Sequence, residues 1–196
     1  MPQPPRRILV INGHPDPDPA HLCAALAEAY AKGATKAGHT VERLSVGALD
    51  FPLIHSPRDY QSGHFSADIK MAQDAVRTAD HLVLVFPIWF GGPPAVLKGF
   101  FEQLLRRGLA LGSPQAPITS VLTRKSIRLI VTMGAPVLVF QLVLGGHGVA
   151  SLERGLLWVT GMGPIRKTLF GRAHLDAPEQ KARWLAKVES LGLQGA

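Results

Sequence analysis

The sequence predicts a three-layer α/β fold, a five-stranded parallel sheet with helices on both faces. Short apolar runs bounded by polar residues recur at Arg7–Asn12, His81–Phe86 and Ser126–Met133, the pattern of strands buried on both sides. Segments of helical period alternate with them, which implies a parallel sheet joined by crossovers. Five strands and about five helices in 196 residues fit the doubly wound order 2-1-3-4-5. With 46% hydrophobic residues, the length suits one domain over residues 1–196.

Each element has a local reason. Arg7–Asn12 is the first strand, Gly13–Ala20 a loop, and an Ala-rich helix spans His21 to Ala37, ended by Gly38. Thr40–Ser45 alternates as a second strand. Leu49–His64, rich in Pro, Ser and Asp without a period, reads as a surface loop. Asp68 is placed to cap a helix whose apolar side is Ile69, Ala72, Ala75, Val76 and Ala79. After the strand His81–Phe86, Pro93 and Pro94 open a helix where a missing N–H costs nothing. Val96, Leu97, Phe100, Phe101, Leu104 and Leu105 face its core. Leu109–Arg124 has the composition of the least ordered stretch. Ser126–Met133 is the fourth strand. Gly134–Thr160 reads as loop and helix, with the helix over Ser151–Val159. Gly161, Gly163 and Pro164 turn the chain into a last strand near Arg166–Phe170. Asp176 with Glu179 resembles a capping box for a terminal helix to Leu191.

Composition removes several classes of function. The single cysteine, Cys23, excludes an internal disulfide, fits a reducing cytoplasm and reads as a small buried residue. No Cys, His or carboxylate spacing suits a metal. A Walker loop, a G-x-S-x-G elbow and a strand-linked G-x-G-x-x-G are all absent. Leu129–Gly146 carries no charge, but Gly134, Pro136 and Gln141 interrupt it, so a buried dimer surface is favoured over a membrane span. The net charge of +7 is dispersed, densest at Arg106-Arg107, Arg124-Lys125 and Arg166-Lys167. That favours anionic ligands such as nucleotide phosphates, or peripheral membrane contact. No nucleic-acid reading motif accompanies it.

In the order 2-1-3-4-5 the carboxyl ends of the first, third and fourth strands are neighbours, at Asn12–Leu22, Pro87–Gly92 and Thr132–Ala135. The first leads into a helix, whose free N–H groups suit a phosphate. The second bunches Trp89 and Phe90 beside Gly91 and Gly92, a flat apolar wall rather than core packing. The third has a glycine where backbone can approach a ring edge. A phosphate seat, a flat wall and a backbone edge together describe flavin mononucleotide.

The segment FPIWFGGPPAVLKGFFE resembles the isoalloxazine-binding stretch of the flavodoxin-like NAD(P)H:quinone oxidoreductases, and the resemblance extends to about Gly171. It implies a flavodoxin-like sandwich with Pro87, Ile88, Trp89, Phe90 and Gly91 walling the ring and Thr132, Met133, Gly134 and Ala135 at its edge. GHPDPDPAHL resembles the family's phosphate loop: His14 fits the opening position. The usual hydroxyl is missing, and Pro15, Pro17 and Pro19 have no N–H. His14, His21 and the amides of Ala20, His21 and Leu22 are left as donors, with Asp16 and Asp18 either turned away or acting only as helix caps. His147, in GGHG, matches a family histidine that stabilises charge on the reduced flavin, while Phe140 stands where a tyrosine is expected.

The resemblance further implies a ping-pong cycle, in which NAD(P)H passes hydride to bound FMN and a quinone or similar flat acceptor then takes its place. Part of the family uses FAD, which stays open. Family members are homodimers, and Pro136–Leu144 is an expected contact. The proline-laden loop and the missing tyrosine leave a second reading, a flavin-binding ancillary subunit of a larger assembly such as a potassium efflux system. A member that has lost flavin is a third.

Overall fold

The computed structural model describes residues 4–106, 122, 123, 125–175 and 177–196. Five parallel strands, β1 (Arg7–Asn12), β2 (Thr40–Ser45), β3 (His81–Pro87), β4 (Ser126–Thr132) and β5 (Ile165–Phe170), form one sheet. Its order is β2-β1-β3-β4-β5, as expected. Every residue of β3 is buried, because β3 is central and covered on both faces.

Alternate residues of the strands feed two cores. Ile8, Val10, Val83, Val85 and Ile130 pack under α1 (Leu22–Lys36) and α6 (Pro178–Leu193). Leu9, Ile11, Leu84, Phe86 and Leu129 pack under α3 (Ala67–Thr78) and α4 (Ala95–Leu105). Small residues let α1 and α6 meet closely. A Cβ on Gly33 would lie 2.0 Å from the Glu189 carbonyl oxygen, and one on Gly192 would lie 2.2 Å from that of Tyr30. This contact brings the first turns of both helices to the same end of the sheet.

The helices differ from expectation in three places. The stretch 49–64 contains a short helix, α2 (Pro57–Gln61), capped by Ser56, whose Oγ accepts the Asp59 amide at 3.1 Å. Ser66, not Asp68, caps α3, since its hydroxyl reaches the Ile69 amide at 3.3 Å. Asp68, two residues too late to fold back on the first turn, accepts the Asp50 amide at 2.7 Å instead. Between β4 and β5 the chain is more helical than expected: a π-helical turn at Val139–Val143, then α5 (His147–Ala150), which runs into a π-helix over Ser151–Trp158. The proposed capping aspartate, Asp176, and most of 109–124 lie outside the described residues. α6 itself starts with Pro178 at its first position and no side-chain cap.

The dispersed basic pairs turn out to be partly structural. Arg106 is buried, and its guanidinium donates to the carbonyls of Asp59, Ser62 and His64 while lying 4.4 Å over the Phe65 ring. Lys125 donates to the carbonyls of Arg77 and Ala79. Neither is spent on an anionic surface. Among the described residues no helix is long and apolar enough to cross a membrane.

Candidate functional site

The three strand ends meet. The Gly13 amide donates to the Val85 carbonyl at 2.7 Å, and the Ile88 amide to that of Thr132 at 2.7 Å, tying β1 to β3 and β3 to β4. A Cβ on Gly13 would lie 2.8 Å from a terminal methyl of Leu97, which would have to shift to admit it. Over these ends a cleft of about 500 Å³ opens between the starts of α1 and α6. His14, Ala20, His21, Leu22, Pro87, Ile88, Trp89, Thr132, Met133 and Gly134 all line it.

Its wall is a tight hairpin. Trp89 and Gly92 exchange both backbone hydrogen bonds, at 2.9 and 3.0 Å, with Phe90 and Gly91 at the tip. Both tip residues have positive φ, 48° and 84°, as a primed two-residue turn demands. Glycine adopts this freely. Phenylalanine does not, so strain is stored at a fully exposed aromatic. Trp89, half-exposed, lines both the cleft and a second, more apolar cavity of about 740 Å³, which Phe90 lines as well, with Pro93, Pro94, Lys98, Leu152 and Leu156. Gly91 and Ala135 line neither, and the Ala135 carbonyl is taken by the Arg172 amide at 3.2 Å.

The loop after β1 is held by its own side chains. Asp16 accepts the Asp18 amide at 3.0 Å, and Asp18 accepts the Ala20 amide at 2.8 Å. The His21 amide is bound to the Asp18 carbonyl at 3.2 Å. Neither aspartate reaches the helix's first turn, so the amides of Leu22, Cys23 and Ala24 have no intrahelical acceptor. His21 Nε2 lies 2.9 Å from Asp16, and this bond, reinforced by the Asp18 amide, holds the Asp16 carboxyl below the usual carboxylate range. The His14 and His21 rings stack at 4.2 Å, and His14 meets Trp89 edge-on at 5.7 Å. Below them Cys23 is buried against Thr132 Oγ1, and desolvation pushes its thiol up to about 11. As expected, it is no reactive thiol.

His147 and Phe140 sit elsewhere. Phe140 is in the core, so its ring does not stand over the cleft. His147 is exposed at the start of α5, after Gly145 and Gly146 with φ of 66° and 59°, and it lines neither cavity. Its neighbour Gly148 packs on the hairpin, where a Cβ would lie 1.9 Å from the Gly91 carbonyl oxygen. The far side of the cleft was not foreseen. Ala173 and His174 after β5, and Lys181 and Leu185 on α6, complete it. Nothing local marks them, because they arrive through the packing of α6 on α1. Among the described residues no group of His, Cys, Asp or Glu is arranged to hold a metal.

The residues fit a flat cofactor with an anionic tail, in altered form. Trp89 supplies the wall. Gly134 leaves the edge open, where a Cβ would meet only His174 Nδ1, at 3.5 Å. An anionic tail would face the imidazoles of His14 and His21 and the first-turn amides rather than a hydroxyl.

Known proteins agree with this architecture. Residues 6–191 match the Flavodoxin_2 family, described as having a flavodoxin-like fold, and the chain belongs to that family. An uncharacterized NAD(P)H oxidoreductase of Haemophilus influenzae is 29% identical over 69% of this chain and 68% of its own length. NAD(P)H dehydrogenase [quinone] 1 of Rattus norvegicus is 28% identical over 82% of this chain and 64% of its own, so the chain spans just under two thirds of that relative. The crystal structure of Smu.1420 from Streptococcus mutans UA159 superposes with a TM-score of 0.75 at 25% identity, covering 95% of this chain and 98% of that one.

Proposed function

We propose that the chain, as one domain over 1–196, is a flavin-dependent NAD(P)H oxidoreductase of the quinone-reductase kind. NAD(P)H and a quinone or similar flat acceptor use the site in turn, in a ping-pong cycle. FMN is the first choice of cofactor, with FAD open. The observation that carries this is the half-exposed Trp89 indole forming a flat wall at the cleft where β1, β3 and β4 end. The names of the relatives above support nicotinamide and quinone chemistry.

When bound, the flavin supplies the two-electron relay between nicotinamide and acceptor. The protein's part is to orient and to exclude water. Trp89 stacks on the ring, Gly134 lets its edge approach the backbone, and the first turn of α1 faces the phosphate. His147, next to Gly148 on the wall of the second cavity, is assigned a proton for the acceptor. Leu138, Leu142, Val143, Leu144 and Trp158 are exposed, and a second copy would cover them in a homodimer. A cytoplasmic location accords with the single, inert cysteine.

The test is the visible spectrum of the protein purified without added cofactor, followed by anaerobic NADPH and then a quinone. Flavin bands that bleach and return support the reading. A colourless protein that takes up neither FMN nor FAD sinks it.

A second reading, an ancillary flavin-binding subunit with little turnover, draws on the Asp18–Ala20 bond that blocks one phosphate donor. It also draws on the absence of Phe140 from the cleft. Bound flavin with negligible steady-state quinone turnover by the isolated protein would favour it.

A further inference from the structure

The second cavity, of about 740 Å³, is built between two walls. One is the Trp89–Gly92 hairpin with the start of α4, and the other is the helical stretch from Gly148 to Leu156. A glycine on each wall gives it width. A Cβ on Gly92 would meet nothing within 4 Å, and one on Gly155 would meet only Ser151 Oγ, at 4.0 Å. Pro93, Pro94, Leu152 and Leu156 make its surface apolar. Phe90 lines it while fully exposed, so the ring recovers by packing none of the cost of its backbone conformation.

Charge decides what can enter. Among the described residues Lys98 is the only charged side chain lining this cavity, and its ammonium is engaged by the Glu102 carboxylate one turn further along α4. That pair leaves little net charge for an anion, whereas an uncharged apolar chain gives up no hydrogen bond on entering. The cavity adjoins the cleft, because Trp89 lines both. The exposed residues assigned above to a second copy, Leu138, Leu142, Val143, Leu144 and Trp158, do not line it. Its size, and an apolar lining with few polar groups, are those of a small-molecule site.

We propose that this cavity holds the apolar chain of an uncharged, alkyl-substituted quinone whose ring lies against Trp89. This rests on the quinone-reductase reading above and narrows its acceptor to one class. The chain runs along the hairpin from the cleft, lies between Gly92 and Gly155, and covers Phe90. Phe90 is then a specificity-determining residue, since burial of its ring offsets the backbone strain only when the acceptor carries a chain.

The test compares pentyl- and methyl-substituted benzoquinones as acceptors for the flavin-loaded protein with NADPH. Wild type prefers the pentyl homologue by roughly 30-fold in kcat/KM, the scale of burying about two to three methylene groups. Gly155→Leu fills the cavity from a position where a side chain has room, and it loses most of that preference. Phe90→Gly, on the opposite wall, removes the ring and the strain together and lowers the preference as well. It serves alone if Gly155→Leu does not fold. Equal use of both quinones by wild type, or either variant keeping the full preference, overturns the proposal. So does a Gly155→Leu variant that loses both acceptors alike. A wild type without the preference, whose Gly155→Leu variant dissociates in sedimentation, would place a second copy in the cavity and also overturns it. If the protein takes up no flavin or turns over neither quinone, the quinone-reductase reading falls and the cavity is read by binding alone. The pentyl quinone is then titrated against the Leu152 and Leu156 methyl resonances. Shifts in wild type that vanish in Gly155→Leu support the proposal. Shifts that persist in the variant, or wild-type resonances that stay still, overturn it.

Discussion

The carboxylate of Asp18 accepts the backbone amide of Ala20 at 2.8 Å, occupying with a negative charge a donor at the mouth of the cleft. A carboxylate at that point both removes an N–H and repels a phosphate. Asp18→Ser keeps a side-chain acceptor for the turn and removes the charge. The variant is expected to bind FMN about tenfold more tightly than wild type, with riboflavin unaffected. Fluorescence quenching titrations with both ligands decide it. Equal gains for both would mean that the charge acts on the ring and not on the phosphate.

Gly148 is the point where the helical stretch after His147 touches the Trp89 hairpin. Alanine there would place a methyl 1.9 Å from the Gly91 carbonyl oxygen. The hairpin is held by one bridge, between Trp89 and Gly92, and it yields before the core does. Gly148→Ala is therefore expected to cost about 1–2 kcal/mol, the low end for overpacking. Its larger effect is to displace Trp89, weakening riboflavin and FMN together. Thermal melting and the two affinities check this. A normal affinity for both ligands would show that the hairpin does not set the wall.

Arg106 donates to three carbonyls of the 59–64 segment and packs on Phe65, although it belongs to the end of α4. Alanine would strand those carbonyls, and lysine cannot span them with its single point of donation. Both variants should lose on the order of 2–4 kcal/mol in urea unfolding. They should also be nicked by protease around α2 before the rest of the chain is cut. Resistance equal to wild type would contradict the clamp role.

The fold was legible because its signals are local. Each strand is an apolar run with polar ends, and β3 needs no long-range knowledge to be placed in the middle. The half of the cleft built by strand ends was legible for the same reason, since Pro87–Trp89 and Thr132–Gly134 follow directly from where β3 and β4 stop. His174 and Lys181 were not, because they come to the cleft only through the glycine-mediated approach of α6 to α1 and the strained turn at Arg172. Ser66 was passed over for Asp68 because both are good caps, and only the phase of the helix distinguishes them. An unbroken apolar stretch gives no clue to which residues face in: Phe140 is core while Leu142 and Val143 are exposed. The strain at Phe90 has no sequence mark at all.

His81 makes stability depend on pH. It is buried at the amino end of β3, with Nδ1 2.7 Å from Ser126 Oγ and no partner for Nε2 among the described residues. Burial, with Arg6 and Arg128 nearby, pushes its imidazole down from 6.5 to about 4. Between those values the unfolded chain binds a proton that the native one refuses, so stability rises with pH across that window. The contribution is complete above about pH 6.5, is lost progressively as pH falls toward 4, and changes no further below that. The full swing is on the order of 3 kcal/mol. His81→Asn, which retains a polar group toward Ser126, should show a flatter profile between pH 4 and 6.5 even if it is less stable at pH 7. Urea unfolding of both proteins at half-unit steps measures the two slopes. Parallel curves would mean that the acid sensitivity of the fold comes from groups other than His81.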